Sequence, residues 1–177
     1  MNIEELRSEK IQQSMLDHFI RFQETKTVLR EQNGELQEES DYFIDDWSQE
    51  RKHEIINHFK EVIAQGGAVI IASGEEKIFG FAVLEAGCFG KTAVYRELSY
   101  IHVSSEARGK GIGRHLFKAA KEKARELGTE KIYIGAHPAS ATQAFYYKMG
   151  CTLAKEINQA IYDREPLDIQ LEISVMS

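Results

Sequence analysis

Residues Glu97 to Gly113 read ELSYIHVSSEARGKGIG. Up to Val103 apolar and polar residues mix as in a half-buried strand, a short polar turn follows, and Gly109, Gly111 and Gly113 lead into a helical pattern. Backbone stripped of side chains just ahead of a helix can wrap an anion closely. Its N–H groups are free, and the helix dipole favours negative charge by about 0.3–1 kcal/mol. A phosphate-bearing ligand is therefore expected here. A P-loop would need two glycines with four residues between them, then Lys and Ser or Thr, whereas Gly113 is followed by Arg114 and His115. A dinucleotide fingerprint would need G-x-G-x-x-G, and this chain has G-x-G-x-G. Neither common nucleotide-binding spacing is present.

Around this segment the 177 residues are 42% hydrophobic and 28% charged, with two prolines and no repeat, which suits one soluble domain with a proper core. The N-terminus, MNIEELRSEK, lacks the apolar region of a signal peptide, and no apolar run reaches the roughly 18 residues of a membrane span. A cytoplasmic protein without membrane contact is expected. Cys88 and Cys151 have no metal or disulfide spacing, and His53, His58, His115 and His137 form no ligand pattern, so no metal is expected. A net charge of -6 argues against nucleic-acid binding and leans towards a cationic substrate such as an amine.

In chain order, Leu6, Ile11, Met15, Phe19 and Phe22 approach helical spacing and predict one or two helices before residue 22. Asn33-Gly34 is the favoured pair of a type I′ turn and predicts a hairpin of about Thr25–Glu31 with Glu35–Glu39, either a lid over the substrate or an appendage. Ser48 caps a helix whose stripe is Ile55, Ile56, Phe59, Val62 and Ile63; Trp47 beside Asp45 and Asp46 is either its apolar anchor or part of an amine pocket. AVIIA (68–72) and KIFGFAVLE (77–85) form an antiparallel pair, and Thr92–Val103 continues the meander. Helices follow over about 112–127 and Ser140–Met149, separated by the strand KIYIGA (131–136), and the tail offers strands near 151–157 and 168–175. Strand alternation puts Glu97 with Ser99, Ile101 and Val103, and puts Tyr100 and His102 opposite.

Arg108-Gly109-Lys110-Gly111-Ile112-Gly113 resembles the R/Q-x-x-G-x-G/A pyrophosphate loop of the Gcn5-related N-acetyltransferase (GNAT) superfamily. Ala144 to Cys151, AFYYKMGC, resembles that superfamily's A-x-x-F-Y-x-x-x-G-F segment, with Ala139, Thr142 and Cys151 departing from it. The resemblance spans roughly Ala68–Ser177. It implies an α/β (mixed α+β) acyl-CoA N-acyltransferase fold: a central mixed, mostly antiparallel sheet, splayed between strands 4 and 5 and flanked by helices. It also implies an acetyl-CoA-dependent N-acetyltransferase of one domain, with 1–66 on the acceptor side and 67–177 as the acetyl-CoA-binding core. Ile101, His102, Val103, Arg108, Gly109, Lys110, Gly111, Ile112, Gly113 and Arg114 are the implied cofactor-binding residues. Family sheets often pair through their C-terminal strands, so a homodimer is a possible assembly.

Acyl transfer to an amine needs a neutral amine, a polarised carbonyl and a protonated leaving thiolate. Freeing a lysine-like amine of its proton at pH 7 costs about 4–5 kcal/mol. Glu97 stands where resembling histone acetyltransferases carry the base that takes it; Glu85 and His102 are rivals. The superfamily's catalytic tyrosine falls at Tyr146, with Tyr147 as its neighbour; a phenol there can donate to the thiolate. A backbone N–H near Ile101–Val103 would polarise the carbonyl. The acceptor is a primary amine of a small molecule, an antibiotic-like compound or a peptide N-terminus. The alternative reading is a non-catalytic acyl-CoA-binding sensor.

Overall fold

A computed structural model describes residues 1–177. Its centre is the strand pair β4 (Ala68–Gly74) and β5 (Lys77–Phe89), whose apolar runs are continuous because both faces are covered. Ala68, Ile70, Ala72, Ala82 and Leu84 pack towards α2 (Ile112–Glu126), while Val69, Ile71, Phe81 and Val83 pack towards α1 (Gln49–Ala64). Two buried layers thus enclose one sheet. The Ser48 hydroxyl accepts from Arg51 N at 3.1 Å and starts α1 as its sequence predicts.

The strand β6 (Tyr95–Val103) continues the meander against β5, and α2 crosses over to β7 (Lys131–Ala136), which lies parallel to β6. Then come α3 (Ser140–Met149), β8 (Thr152–Leu153), α4 (Gln159–Arg164) and β9 (Ile169–Ser174). With β1 (Asn2–Glu5) the sheet order is β1-β4-β5-β6-β7-β9-β8, antiparallel except at β6–β7. The hairpin β2 (Phe22–Gln32) and β3 (Glu35–Asp46) stands apart as a separate ribbon. Its turn is Asn33 (φ 53°) and Gly34 (φ 80°), as expected, though both strands run longer than predicted.

The first 22 residues differ from the helices expected of them. Residues 2–5 pair with β4, Leu6 N donates to Val69 O at 2.8 Å, and a short 3-10 turn at Ser8–Lys10 precedes irregular turns. The outer edge of β4 needed hydrogen-bond partners, and β1 supplies them. Leu6, Leu16 and Phe19 are buried as separate anchors against α1 rather than as one helical stripe. The short helix α4, absent from the expectation, is capped by Asn158, whose side chain accepts from Ile161 N.

Candidate active site

Between β6 and β7 the ladder covers only three residue pairs, Tyr95–Lys131, Arg96–Ile132 and Glu97–Tyr133. Beyond them β6 stays with β5 and β7 stays with β9, so the fourth and fifth strands of the sheet part. A cleft of about 1190 Å³ fills the opening. Ile101, His102, Val103, Arg108, Gly109, Gly111, Ile112, Gly113 and Arg114 line it on one side and Phe145 and Tyr146 on another, while β2 and the ends of β3 cover it. Of the ten residues expected to hold the cofactor, only Lys110 lies outside the lining.

The loop's backbone suits an anion. Gly111 is the α2 N-cap with φ +80°, a conformation that a side chain would strain. No N–H from Gly109 to Arg114 finds a protein acceptor, since the helix bonds begin with His115 N to Gly111 O. Arg108 Nε donates to Val103 O at 3.2 Å and ties the loop to the end of β6. Tyr146 is 6% exposed and packs edge-on against Phe145, whereas Tyr147 is 82% exposed and outside the cleft. Burial, with Cys151 and Asp168 adding to it, pushes the Tyr146 phenol far above its ordinary value, so it stays protonated.

Glu97 lies elsewhere. It borders a second cavity, about 580 Å³, on the α1 side of the sheet, together with Glu54, His58 and Glu61 of α1, Glu85 of β5, and Glu165 and Asp168 after α4. Arg164 Nη2 donates to Glu97 Oε2 at 2.5 Å. Burial raises the Glu97 carboxyl above the usual range and Arg164 pulls it part of the way back. The hydrogen bond between His58 and Glu85, 2.9 Å, raises the imidazole. The two cavities meet at Ser99, Tyr100, Gly135, Glu165 and Asp168.

The alternation expected along β6 breaks at this junction. Val83 pairs with Tyr100 but Leu84 with Leu98, leaving Ser99 as a bulge residue. Leu98, Ile101 and Val103 consequently pack towards α2, while Tyr100 packs towards α1 with its ring 5.8 Å from that of His102. Glu97 therefore shares the face of Tyr100 and His102, the reverse of the sequence pattern. His102 sits edge-on to Trp47 at 4.9 Å, and burial holds its imidazole well below the ordinary value. Trp47 itself lines neither cavity; it packs with Phe19 and Phe81 under Arg21, as an anchor.

Sequence reasoning missed Asp168, Glu165 and the His58–Glu85 pair. Only tertiary folding brings α1, β5 and the loop after α4 together. Gly135 was the one available hint, a side chain missing from the strand that faces the splay.

The sequence model described as "Acetyltransferase (GNAT) family" matches residues 15–151. No curated protein sequence matches the chain significantly. Among solved structures, nourseothricin acetyltransferase superposes with a TM-score of 0.68 at 19% identity, covering 98% of each chain. A protein assigned as a streptothricin acetyltransferase from Bacillus anthracis str. Ames, in complex with acetyl coenzyme A, gives 0.69 at 21%, covering 98% of this chain and 97% of that one. Aminoglycoside 6'-N-acetyltransferase complexed with coenzyme A gives 0.54 at 16%, over 71% and 81%. At these identities the likeness shows the fold.

Proposed function

The chain belongs to the acetyltransferase (GNAT) family and takes its acetyl group from acetyl-CoA, and from this we propose that it acetylates a primary amine of a small polycationic molecule of the streptothricin kind. One observation carries the reading: a cavity where six carboxylates, Glu54, Glu61, Glu85, Glu97, Glu165 and Asp168, outnumber the cations Arg51, His58 and Arg164 opens onto the cofactor cleft where β6 and β7 part. Clustered carboxylates facing a low-dielectric wall concentrate cations. The full-length likeness to nourseothricin acetyltransferase supports the same choice.

In this reading the free N–H groups of Gly109–Arg114 hold the pyrophosphate, and the unpaired edge of β6 from Ile101 to Val103 holds the pantetheine arm. The acceptor, bound among the carboxylates, attacks the thioester directly in a ternary complex. A β6 N–H polarises the carbonyl, and Tyr146 donates to the departing sulfur. The test is thiol release from acetyl-CoA with streptothricin, an aminoglycoside and a peptide bearing a free N-terminus. Turnover strongest with streptothricin supports the proposal. Coenzyme A binding without turnover of any of the three would sink it in favour of a sensor.

A further inference from the structure

Most of the carboxylates around the second cavity are already engaged by cations. Glu54 pairs with Arg51 at 3.1 Å, Glu61 and Glu85 with His58 at 3.8 and 2.9 Å, and Glu97 with Arg164 at 2.5 Å. Glu165 and Asp168 have no such partner, and they are the two that border both cavities. Of these, Glu165 is exposed and Asp168 is half-buried. Where a Cβ on residue 135 would stand, Ile161 Cγ2 lies at 3.1 Å, Gln170 Nε2 at 3.8 Å and Asp168 Oδ2 at 4.0 Å, so glycine there lets the carboxylate stand close against the bare backbone of β7. At the same junction Ser99 Oγ is shielded from solvent and has no hydrogen-bond partner. The charge of Asp168 also reaches Tyr146, whose phenol it helps to raise. A carboxylate without an ion-pair partner, a protonated phenol and the parted strand edges all line the one cleft.

We propose that Asp168 is the general base, taking the proton from the acceptor ammonium, and that Glu97 is not. The assignment rests on the amine acetylation just proposed. One N–H proton of the ammonium moves to the Asp168 carboxylate, and the freed lone pair forms the C–N bond at the thioester carbonyl. The C–S bond then breaks, the second nitrogen proton passes by way of Tyr146 to the sulfur, and coenzyme A leaves as the thiol. Asp168 returns its proton to solvent. The groups facing Asp168 are Glu165 on its own loop, Arg164 at the end of α4, Asp45 at the end of β3, Tyr146 on α3 and Glu97 on β6. Burial, reinforced by Glu165 and Asp45 and opposed by Arg164, raises the carboxyl to about 7. That strength suits proton transfer at neutral pH better than an ordinary carboxylate does. Glu97 by contrast would have to surrender Arg164 to act.

The deciding experiment follows kcat/KM for streptothricin against pH in wild type, Asp168→Asn and Glu97→Gln. Wild type should rise about tenfold per pH unit to a bend near the carboxyl's raised value, since the base must be ionised to work. Asp168→Asn should lose that bend and about 100-fold in rate at neutral pH, its rate climbing instead with the free-base fraction of the amine straight through that range. Glu97→Gln should keep the bend. Methoxyamine, already neutral at pH 7, should be acetylated about equally by wild type and Asp168→Asn. A bend near neutral pH that survives in Asp168→Asn, or vanishes in Glu97→Gln, would overturn the assignment while leaving the acetylation standing. An equal loss with methoxyamine would reduce Asp168 to a structural role and overturn it too. Wild type inert towards every amine would instead refute the acetylation itself.

Discussion

Tyr146 and Tyr147 are adjacent in sequence and opposite in surroundings, the first 6% and the second 82% exposed. The motif around Gly150 singles out Tyr146 in the sequence, and α3 turns only that one into the cleft. Removing the Tyr146 hydroxyl should lower kcat about 100-fold without changing affinity for coenzyme A, because the phenol is asked to act only as sulfur departs. Rapid-quench kinetics and calorimetric titration of Tyr146→Phe check both halves. Asp168 has no such motif. Its raised carboxyl comes from burial by a loop and an adjacent Glu165, neither of which periodicity encodes. The same property predicts a stability effect. A carboxyl raised in the fold favours the native state below its unfolded value, and that favour is lost as pH rises through about 7. Above that, Asp168→Asn should melt higher than wild type, and below about pH 4 the two should converge. Thermal scans at both ends of the range test this, and a variant that melts lower at pH 8 would contradict it.

At the scale of elements, period-2 and period-3.6 patterns located β4, β5, α2, β7 and α3, and the helix expected at Ser140–Met149 has those bounds. Patterns fail where the ladder slips. Ser99 shifts β6 by one residue, and β5 loops out between its pairings at Leu84 and Cys88. No sequence rule announces either slip, yet together they put Glu97 on the α1 side of the sheet. What stabilises the β5 excursion is Arg96, 5% exposed, whose Nη1 donates to Glu85 O at 2.8 Å and also to Ala86 O, and whose Nε donates to Thr129 Oγ1 at 3.1 Å. Arg96→Met keeps much of the volume and abandons those carbonyls in a shielded place. It should cost about 2–4 kcal/mol, the desolvation penalty of two acceptors left unpaired. Urea denaturation gives the number. Because Glu85 is itself part of the excursion, the variant should also raise KM for the amine while sparing that for acetyl-CoA.

Across the whole molecule, charge and shape act together. The sheet sorts the site into two sides, with the glycine loop at the start of α2 and the carboxylates beside α1, and the hairpin covers the cleft. That ribbon is fastened to the core: Leu29 N donates to Pro138 O at 2.8 Å, Val28 bridges to Ala139, and His137 Nε2 lies 3.3 Å from Asp45 Oδ2. The hairpin was legible from Asn33-Gly34, but its attachment joins residues 92 to 111 positions apart and was not. With a net charge of -6 and six carboxylates bordering one cavity, the protein should attract a polycation and gain nothing from long-range attraction towards anionic acetyl-CoA. Raising salt from about 0.01 to 0.15 M shortens the screening length from about 30 to 8 Å, which weakens attraction across the mouth of the cavity. KM for streptothricin should therefore rise several-fold over that range while KM for acetyl-CoA stays flat or falls. Equal salt dependence for both substrates would mean that the acceptor is not held by this acidic wall.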